Sequence, residues 1–241
     1  MNTPKFLTII LLFIFCGTKL YAQQNAVVNY CIQLDSLNKT VTNNTIDRKT
    51  ATKKLTHLIT QIDKNAGFNS PDAWTFPLKG YKANAIGGVK GNGYFDKGYH
   101  FLDGNKHTAH PAHDIFITDR NQDTFDDKTL KPVEVLAVTD GVVVSCTPQW
   151  DVGSALRGGK CIWVYHPGLN LFSYYAHNRQ LFVKTGDVVK RGQKIAEVGR
   201  TGLNAYKKRS PTHLHFSAFR LVNGLPVPFN PYQNLIKAST L

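Results

Sequence analysis

The chain has 241 residues, 42% hydrophobic side chains and a formal net charge of +13. This length suits one sizeable domain with at most a small appendage. The sequence has no periodic repeats and no low-complexity tracts, which excludes solenoids, propellers and disordered tails. The positive charge predicts an anionic partner without identifying it.

Residues 1–22 have the pattern of a secretory signal peptide. Lys5 supplies the positive start, an apolar run extends from Phe6 to Phe15, and Leu20-Tyr21-Ala22 resembles a cleavage site. The run is too short to span a bilayer comfortably. We therefore expect export to the periplasm or the extracellular space and a mature chain without a transmembrane segment, with its net charge lowered to +11 by the loss of Lys5 and Lys19.

Three cysteines remain after position 22. Cys146 ends one β-like run and Cys161 begins the next, so a disulfide at the base of a hairpin is one expectation, which leaves Cys31 unpaired. Such a bridge would contribute about 3 kcal/mol. No CxxC pair suggests a structural zinc site.

Residues 23–71 form a predicted helical segment. One helix is expected over roughly Ala26 to Leu37, and a second, capped by Asp47, extends to Lys64. Apolar residues at helical spacing mark their buried sides: Val27, Leu34 and Leu37 in the first, and Ala51, Leu55, Leu58, Ile59 and Ile62 in the second.

From residue 72 to residue 241 the chain becomes rich in glycine, aromatic and β-branched residues. Short β-like runs separated by turn signals predict an antiparallel, mainly β domain, either a sandwich or an open barrel. The runs are Val133–Val138, Val142–Ser145, Cys161–Tyr165, Leu171–Ala176, Ile195–Val198 and Thr212–Leu221.

Two histidines lie one residue apart in the last of these runs. In a strand, His213 and His215 share one face, while Leu214 and Phe216 point to the other. Paired imidazoles suit metal binding or acid–base chemistry, although two unrelated surface histidines would give the same pattern.

A second group of histidines surrounds Asp114. If the strand alternation of the following residues extends backwards, His110 and Asp114 share a face and can bind one cation, while His113 faces away. His107 and His113 are competing candidates that this register disfavours. Two imidazoles and one carboxylate suit zinc, and three protein ligands leave a fourth position open, as in catalytic sites.

An ordered series of motifs resembles peptidase family M23, the lysostaphin/LytM-type zinc endopeptidases of bacterial cell walls. The resemblance extends from about Trp74 to about Leu235. It comprises His110-x-x-x-Asp114, Asp140-Gly-Val-Val143, Tyr175-Ala-His177, Gly186-Asp-Val-Val-Lys-Arg-Gly192, Gly199-Arg-Thr-Gly202 and His213-Leu-His215.

The resemblance implies a domain of the duplicated hybrid motif type and roles for six residues. His110, Asp114 and His215 would bind one zinc ion. His177 and His213 would act on the water and the scissile carbonyl, and Tyr175 would hydrogen-bond the substrate or pack in the core. Asn178 departs from the apolar residue usual after His177, and Asp119-x-Asn121-x-Asp123 resembles the start of a calcium loop, although a solvated acidic loop is the preferred interpretation.

The leading hypothesis is a secreted enzyme that cleaves peptide cross-links or stem peptides of peptidoglycan, whose anionic polymers agree with the positive charge. The alternative is a non-catalytic wall-binding or hydrolase-activating module on the same fold. A lipoyl- or biotinyl-type carrier lacks a convincing lysine at a hairpin tip, and dispersed basic residues without a recognition motif argue against a nucleic-acid partner.

Overall fold

The computed structural model describes residues 5–106 and 108–241, and for residues 5–22 it describes the backbone alone. Helices α1 (Lys5–Thr42) and α2 (Arg48–Asn65) come first. The strands are β1 (His113–Phe116), β2 (Glu134–Leu136), β3 (Gly141–Thr147), β4 (Lys160–His166), β5 (Leu171–Leu181), β6 (Val188–Val189), β7 (Lys194–Val198), β8 (His213–Val222) and β9 (Leu225–Phe229), followed by helix α3 (Tyr232–Lys237).

The described strands form one antiparallel sheet, so the predicted mainly β class is confirmed. The main path runs β1-β8-β5-β4-β3-β6, with β9 beside β8. The C-terminal half of β5 also pairs with β7, which in turn pairs with β2. Side chains of β2 and β7 share one buried core with the inward side chains of β1, β3, β4, β5 and β8.

The two helices pack on the outer face of this sheet. The predicted cap of α2 is confirmed, because Asp47 Oδ1 accepts a hydrogen bond of 2.9 Å from the backbone N–H of Thr50. All eight predicted apolar positions of the two helices are buried. They form a second core with outward residues of the sheet, including Val142, Val144, Tyr165, Phe172 and Phe219.

Polar contacts fix α1 over β3. Asp35 Oδ1 accepts a hydrogen bond of 2.6 Å from the Ser145 hydroxyl, to which Asn38 Nδ2 also donates at 3.1 Å. Among the described residues no helix combines the length and apolar character needed to cross a bilayer. The signal peptide and the division at residues 22 and 71 stay predictions.

The expectation of a Cys146–Cys161 disulfide is wrong, since both residues carry free thiols. The strand register gives the reason. Cys146 lies opposite Ile162, and Cys161 lies opposite Thr147, so the two side chains point to opposite faces of the β3–β4 ladder. Cys146 enters the core, whereas Cys161 lines the groove described below.

A buried histidine makes the stability of this fold depend on pH. His166 is fully buried, with Nδ1 donating to Asp140 O at 2.7 Å and Nε2 2.8 Å from Ser173 Oγ. Burial lowers the pKa of His166 from 6.5 to about 4. The unfolded chain therefore gains this proton first as the pH falls.

We expect the free energy of unfolding to decrease between pH 6.5 and pH 4, by up to about 3 kcal/mol from His166. Above pH 6.5 His166 is neutral in both the folded and the unfolded chain, so this loss of stability is absent there. Urea unfolding of the wild type and of His166→Gln at pH 7 and pH 4.5 checks it, because the variant should lose less stability on acidification. Equal losses in both proteins would contradict it.

Candidate metal centre

The structure brings His110, Asp114 and His215 together. Their donor atoms all lie within 4.8 Å of one another. Asp114 Oδ1 is 3.1 Å from His215 Nδ1 and 3.3 Å from His110 Nε2. Two imidazole nitrogens and one carboxylate oxygen therefore converge on a partly exposed point, as the sequence predicted.

Strands β1 and β8 position two of these groups. Asp114 lies directly opposite His215 in the antiparallel ladder, so their side chains leave the sheet on the same face. His213, two residues earlier on β8, shares that face, and its Nε2 atom lies 3.6 Å from Asp114 Oδ1. The predicted common face of His213 and His215 is confirmed.

His110 reaches the cluster by a different route from the one predicted. His110 precedes β1, and its backbone pairs with that of Phe95 in an isolated bridge. A turn through Pro111 then leads into β1. The turn, and not strand alternation, carries the imidazole beside Asp114. His113 faces away as predicted, with Nε2 3.0 Å from Asn230 Oδ1, and His107 lies outside the described residues.

Backbone carbonyl groups orient three of the imidazole rings. His110 Nδ1 donates to Gly93 O at 3.1 Å, His177 Nδ1 to Thr201 O at 2.8 Å, and His213 Nδ1 to Pro211 O at 2.7 Å. A carbonyl only accepts, so Nδ1 carries the proton and Nε2 of each neutral ring holds a lone pair. This arrangement is typical of ligating and proton-transferring histidines.

His177 and His213 flank the cluster. Their ring centroids are 5.0 Å apart, and the His177 ring is 5.4 Å from that of His215. Burial, with the charges of His215 and His213, holds the pKa of His177 well below 6.5. His177 is therefore a neutral base at neutral pH.

The carboxylate stays ionised despite its surroundings. Burial alone would raise the pKa of Asp114, but hydrogen bonds from His110 and His215 hold it well below its usual range. The same hydrogen bond raises the pKa of His110 against the effect of burial, whereas burial lowers that of His215. The ionised carboxylate is ready to bind a cation, which would displace the protons that His110 Nε2 and His215 Nδ1 share with Asp114.

A groove of about 680 Å³ contains the cluster. Its floor includes Trp163 and Tyr174, whose rings pack 4.6 Å apart. One wall comes from the C-terminal end of α1 and the turn at residues 101–106. This wall was not predicted, because nothing in the spacing of the apolar residues of α1 indicates which part of the sheet the helix covers.

Tyr175 lies in the core and outside the groove lining, which agrees with the packing alternative and not with a substrate contact. It is fully buried in the core, where its hydroxyl accepts a hydrogen bond of 3.0 Å from Val138 N and lies 3.1 Å from Ser173 Oγ. Burial raises its pKa to about 12. Its neighbour Tyr174 faces the groove instead, as the alternation of β5 requires.

The expectation of a solvated acidic loop is wrong for Asp119. Its side chain is buried, and its oxygens accept hydrogen bonds from Asp123 N, Thr124 N and the Thr212 hydroxyl at 2.6–3.0 Å. Asp119 thus fixes Thr212, which precedes His213.

Known proteins resemble part of this chain. The lipoprotein NlpD/LppB homolog of Pseudomonas aeruginosa is 41% identical over 102 residues, which is 42% of this chain and 29% of the relative. The murein hydrolase activator NlpD of Escherichia coli is 41% identical over 83 residues, 34% of this chain and 18% of the relative. The chain therefore spans less than a third of the length of these relatives.

Solved structures also resemble this chain. A putative glycyl-glycine endopeptidase LytM from Ruminococcus gnavus has a TM-score of 0.47 at 19% identity, covering 88% of this chain and 86% of that one. The catalytic domain of lysostaphin from Staphylococcus simulans has a TM-score of 0.38 at 25% identity, covering 55% and 80%.

The model of peptidase family M23 matches residues 124–229. This range contains β2 to β9 and the histidines at 177, 213 and 215, whereas His110 and Asp114 precede it in the chain. Together with the ordered motifs of the sequence, the match shows that the region from residue 124 to residue 229 is similar to peptidase family M23.

Proposed function

We propose that this chain is an exported zinc metalloendopeptidase that hydrolyses peptide cross-links or stem peptides of bacterial peptidoglycan. The observation that carries the proposal is the convergence of His110, Asp114 and His215 on one point of an open groove. A purely structural site would have four protein ligands and would be closed to solvent.

The donor set fits zinc. Zinc takes imidazole nitrogen and carboxylate oxygen, and three protein ligands leave one position for a small molecule. Gly93 O holds His110 with Nε2 towards the cluster, so this ligand is oriented before a metal binds. When bound, zinc would supply a Lewis acid that polarises a carbonyl group and acidifies water.

The chain's own residues would move the protons. His177 and His213 each present Nε2 towards the groove because Thr201 O and Pro211 O hold their Nδ1 protons. One imidazole takes a proton from the attacking water, and the other hydrogen-bonds the carbonyl oxygen or protonates the leaving amine. These two roles require neutral rings at fixed positions.

The electrostatics suit an anionic cell wall. The chain carries a net charge of +13, and Arg157 and Lys39 line the groove, where Asp114 is the acidic side chain among the described lining residues. Peptides of peptidoglycan carry free carboxylates, which such a surface attracts. The expected export signal would deliver the enzyme to this substrate.

The test is digestion of purified peptidoglycan by the zinc-loaded protein, followed by chromatography of the released peptides. We expect new fragments cut within the peptides, and their loss after chelation and in His215→Ala. Cleavage that survives both treatments would contradict the proposal, and so would a protein that binds no zinc.

A second candidate is a hydrolase activator, because relatives that include the one from Escherichia coli are named murein hydrolase activators. An activator releases nothing alone but increases the peptidoglycan digestion by a separate hydrolase of the same cell. The same assay with and without such a hydrolase separates the candidates. The complete set of three ligands favours the enzyme.

A further inference from the structure

His177 faces the groove because β5 is irregular at this residue. In a regular strand His177 would share a face with Tyr175, which is fully buried in the core. His177 instead has a φ of +67°, and the ladders on both sides of β5 shift register next to it. This bulge turns the imidazole from the core side to the groove side.

Such a backbone conformation needs support from its surroundings. A positive φ is unfavourable for a residue with a Cβ, and it persists at functional sites where neighbouring contacts hold it. Neighbouring groups must therefore stabilise the positive φ of His177. Two polar side chains, Asn178 and Thr201, make the contacts that do so.

Asn178 closes the bulge from inside. Its side chain is fully buried, and Nδ2 donates to Tyr175 O at 3.0 Å and to Lys160 O at 2.9 Å. These two carbonyls belong to β5 and to the neighbouring strand β4. The side chain amide thus connects the two strands across the residue where their regular pairing is interrupted.

Thr201 joins the bulge to the imidazole. Its hydroxyl donates to Asn178 O at 2.8 Å and accepts from Lys160 N at 2.9 Å, and its carbonyl accepts the Nδ1 proton of His177 at 2.8 Å. Gly199 permits this approach, because a Cβ there would lie 2.3 Å from Arg179 N. The motif Gly199-Arg-Thr-Gly202 therefore has a structural purpose next to His177.

We propose that Asn178 and Thr201 are positioning residues that hold the His177 imidazole over the metal cluster in one orientation and one tautomer. The kinetic part of this inference rests on the proposed function, whereas its structural part does not. An apolar residue at position 178 would leave the carbonyls of Tyr175 and Lys160 without these hydrogen bonds.

Kinetics of Thr201→Val and Asn178→Ala test the proposal. Valine keeps the shape and the carbonyl of Thr201 but removes both hydroxyl hydrogen bonds. We expect kcat to fall about 10- to 100-fold with zinc content and KM unchanged, because a misplaced general base costs rate and not binding. Thr201→Ser should stay within about threefold of the wild type, since it retains the hydroxyl.

Thr139→Val is the matched control, because Thr139 is also buried and its hydroxyl donates to Pro71 O at 2.7 Å, away from the groove. A kcat in Thr201→Val equal to that of Thr139→Val overturns the proposal. A fall in kcat that accompanies a loss of zinc also overturns it, because Asn178 and Thr201 would then support the metal ligands and not His177.

Nuclear magnetic resonance of the histidine side chains tests the positioning of His177 by Asn178 and Thr201 without an activity assay. In the wild type the Nδ1 proton of His177, assigned by its absence in His177→Gln, should exchange slowly with water. Thr201→Val and Asn178→Ala should lose this signal, and Thr139→Val should keep it. An unchanged signal in all variants overturns the positioning role of Asn178 and Thr201. A wild type that digests no peptidoglycan refutes the proposed function instead, and the positioning role is then decided by this signal alone.

Discussion

An Asp114→Asn protein is expected to lose its zinc and at least about a thousandfold of its peptidase activity. Asp114 Oδ1 is the atom that both His110 and His215 approach, and its carboxylate is the ionised group of the cluster. Asparagine keeps the shape but removes the charge. A Lewis-acid metal contributes several kcal/mol to the transition state, and about 4 kcal/mol corresponds to roughly a thousandfold in rate.

Zinc content by mass spectrometry of metals and digestion of peptidoglycan measure the two effects together. Asp72→Asn is the matched control, because Asp72 is exposed and lies outside the groove lining. It should keep both zinc and activity. Zinc retained in Asp114→Asn at wild-type level would show that the ligand assignment is wrong.

Local patterns predicted the regular elements well because each of them is determined within a few residues. Asp47 followed by apolar residues at helical spacing is sufficient to place α2, and the structure begins that helix at Arg48. The alternation around His213 and His215 likewise defines a face of β8. Strand β9 was missed, because Pro226 and Pro228 hide its β pattern, which an edge strand tolerates.

The site was harder to predict where backbone geometry departs from its regular period. Alternation places Tyr175 and His177 on the same face, yet one lies in the core and the other in the groove, because His177 has a positive φ. No property of the histidine side chain signals this conformation. The neighbouring Asn178, polar where an apolar residue was expected, was a visible departure from the pattern next to this position.

Contacts between distant segments could not be predicted at all from spacing. The end of α1 forms a wall of the groove because Asp35 and Asn38 contact Ser145 on β3, about a hundred residues later in the chain. Neither partner has a local signal for the other. The groove is therefore defined by tertiary packing, whereas the proposed metal ligands are defined by short motifs.

A His177→Gln protein is expected to keep its zinc and to lose about 10²- to 10⁴-fold in kcat, the usual contribution of a general acid or base. The ring lies beside the cluster, 5.4 Å from that of His215, but its nitrogens are outside the group of converging ligands. Glutamine can still donate a hydrogen bond but cannot take up a proton near neutral pH. KM should stay nearly constant, because substrate binding does not need the proton transfer.

His57→Gln serves as the control, since this exposed histidine of α2 is remote in sequence from the motifs of the site. Zinc content and steady-state kinetics on a soluble peptidoglycan peptide separate the outcomes. Full activity in His177→Gln would remove His177 from the mechanism and leave His213 as the base. Activation of a partner hydrolase that is equally strong in wild type, His177→Gln and Asp114→Asn would instead assign the chain to the activators, because the effect would then depend on neither the metal nor the proton transfer.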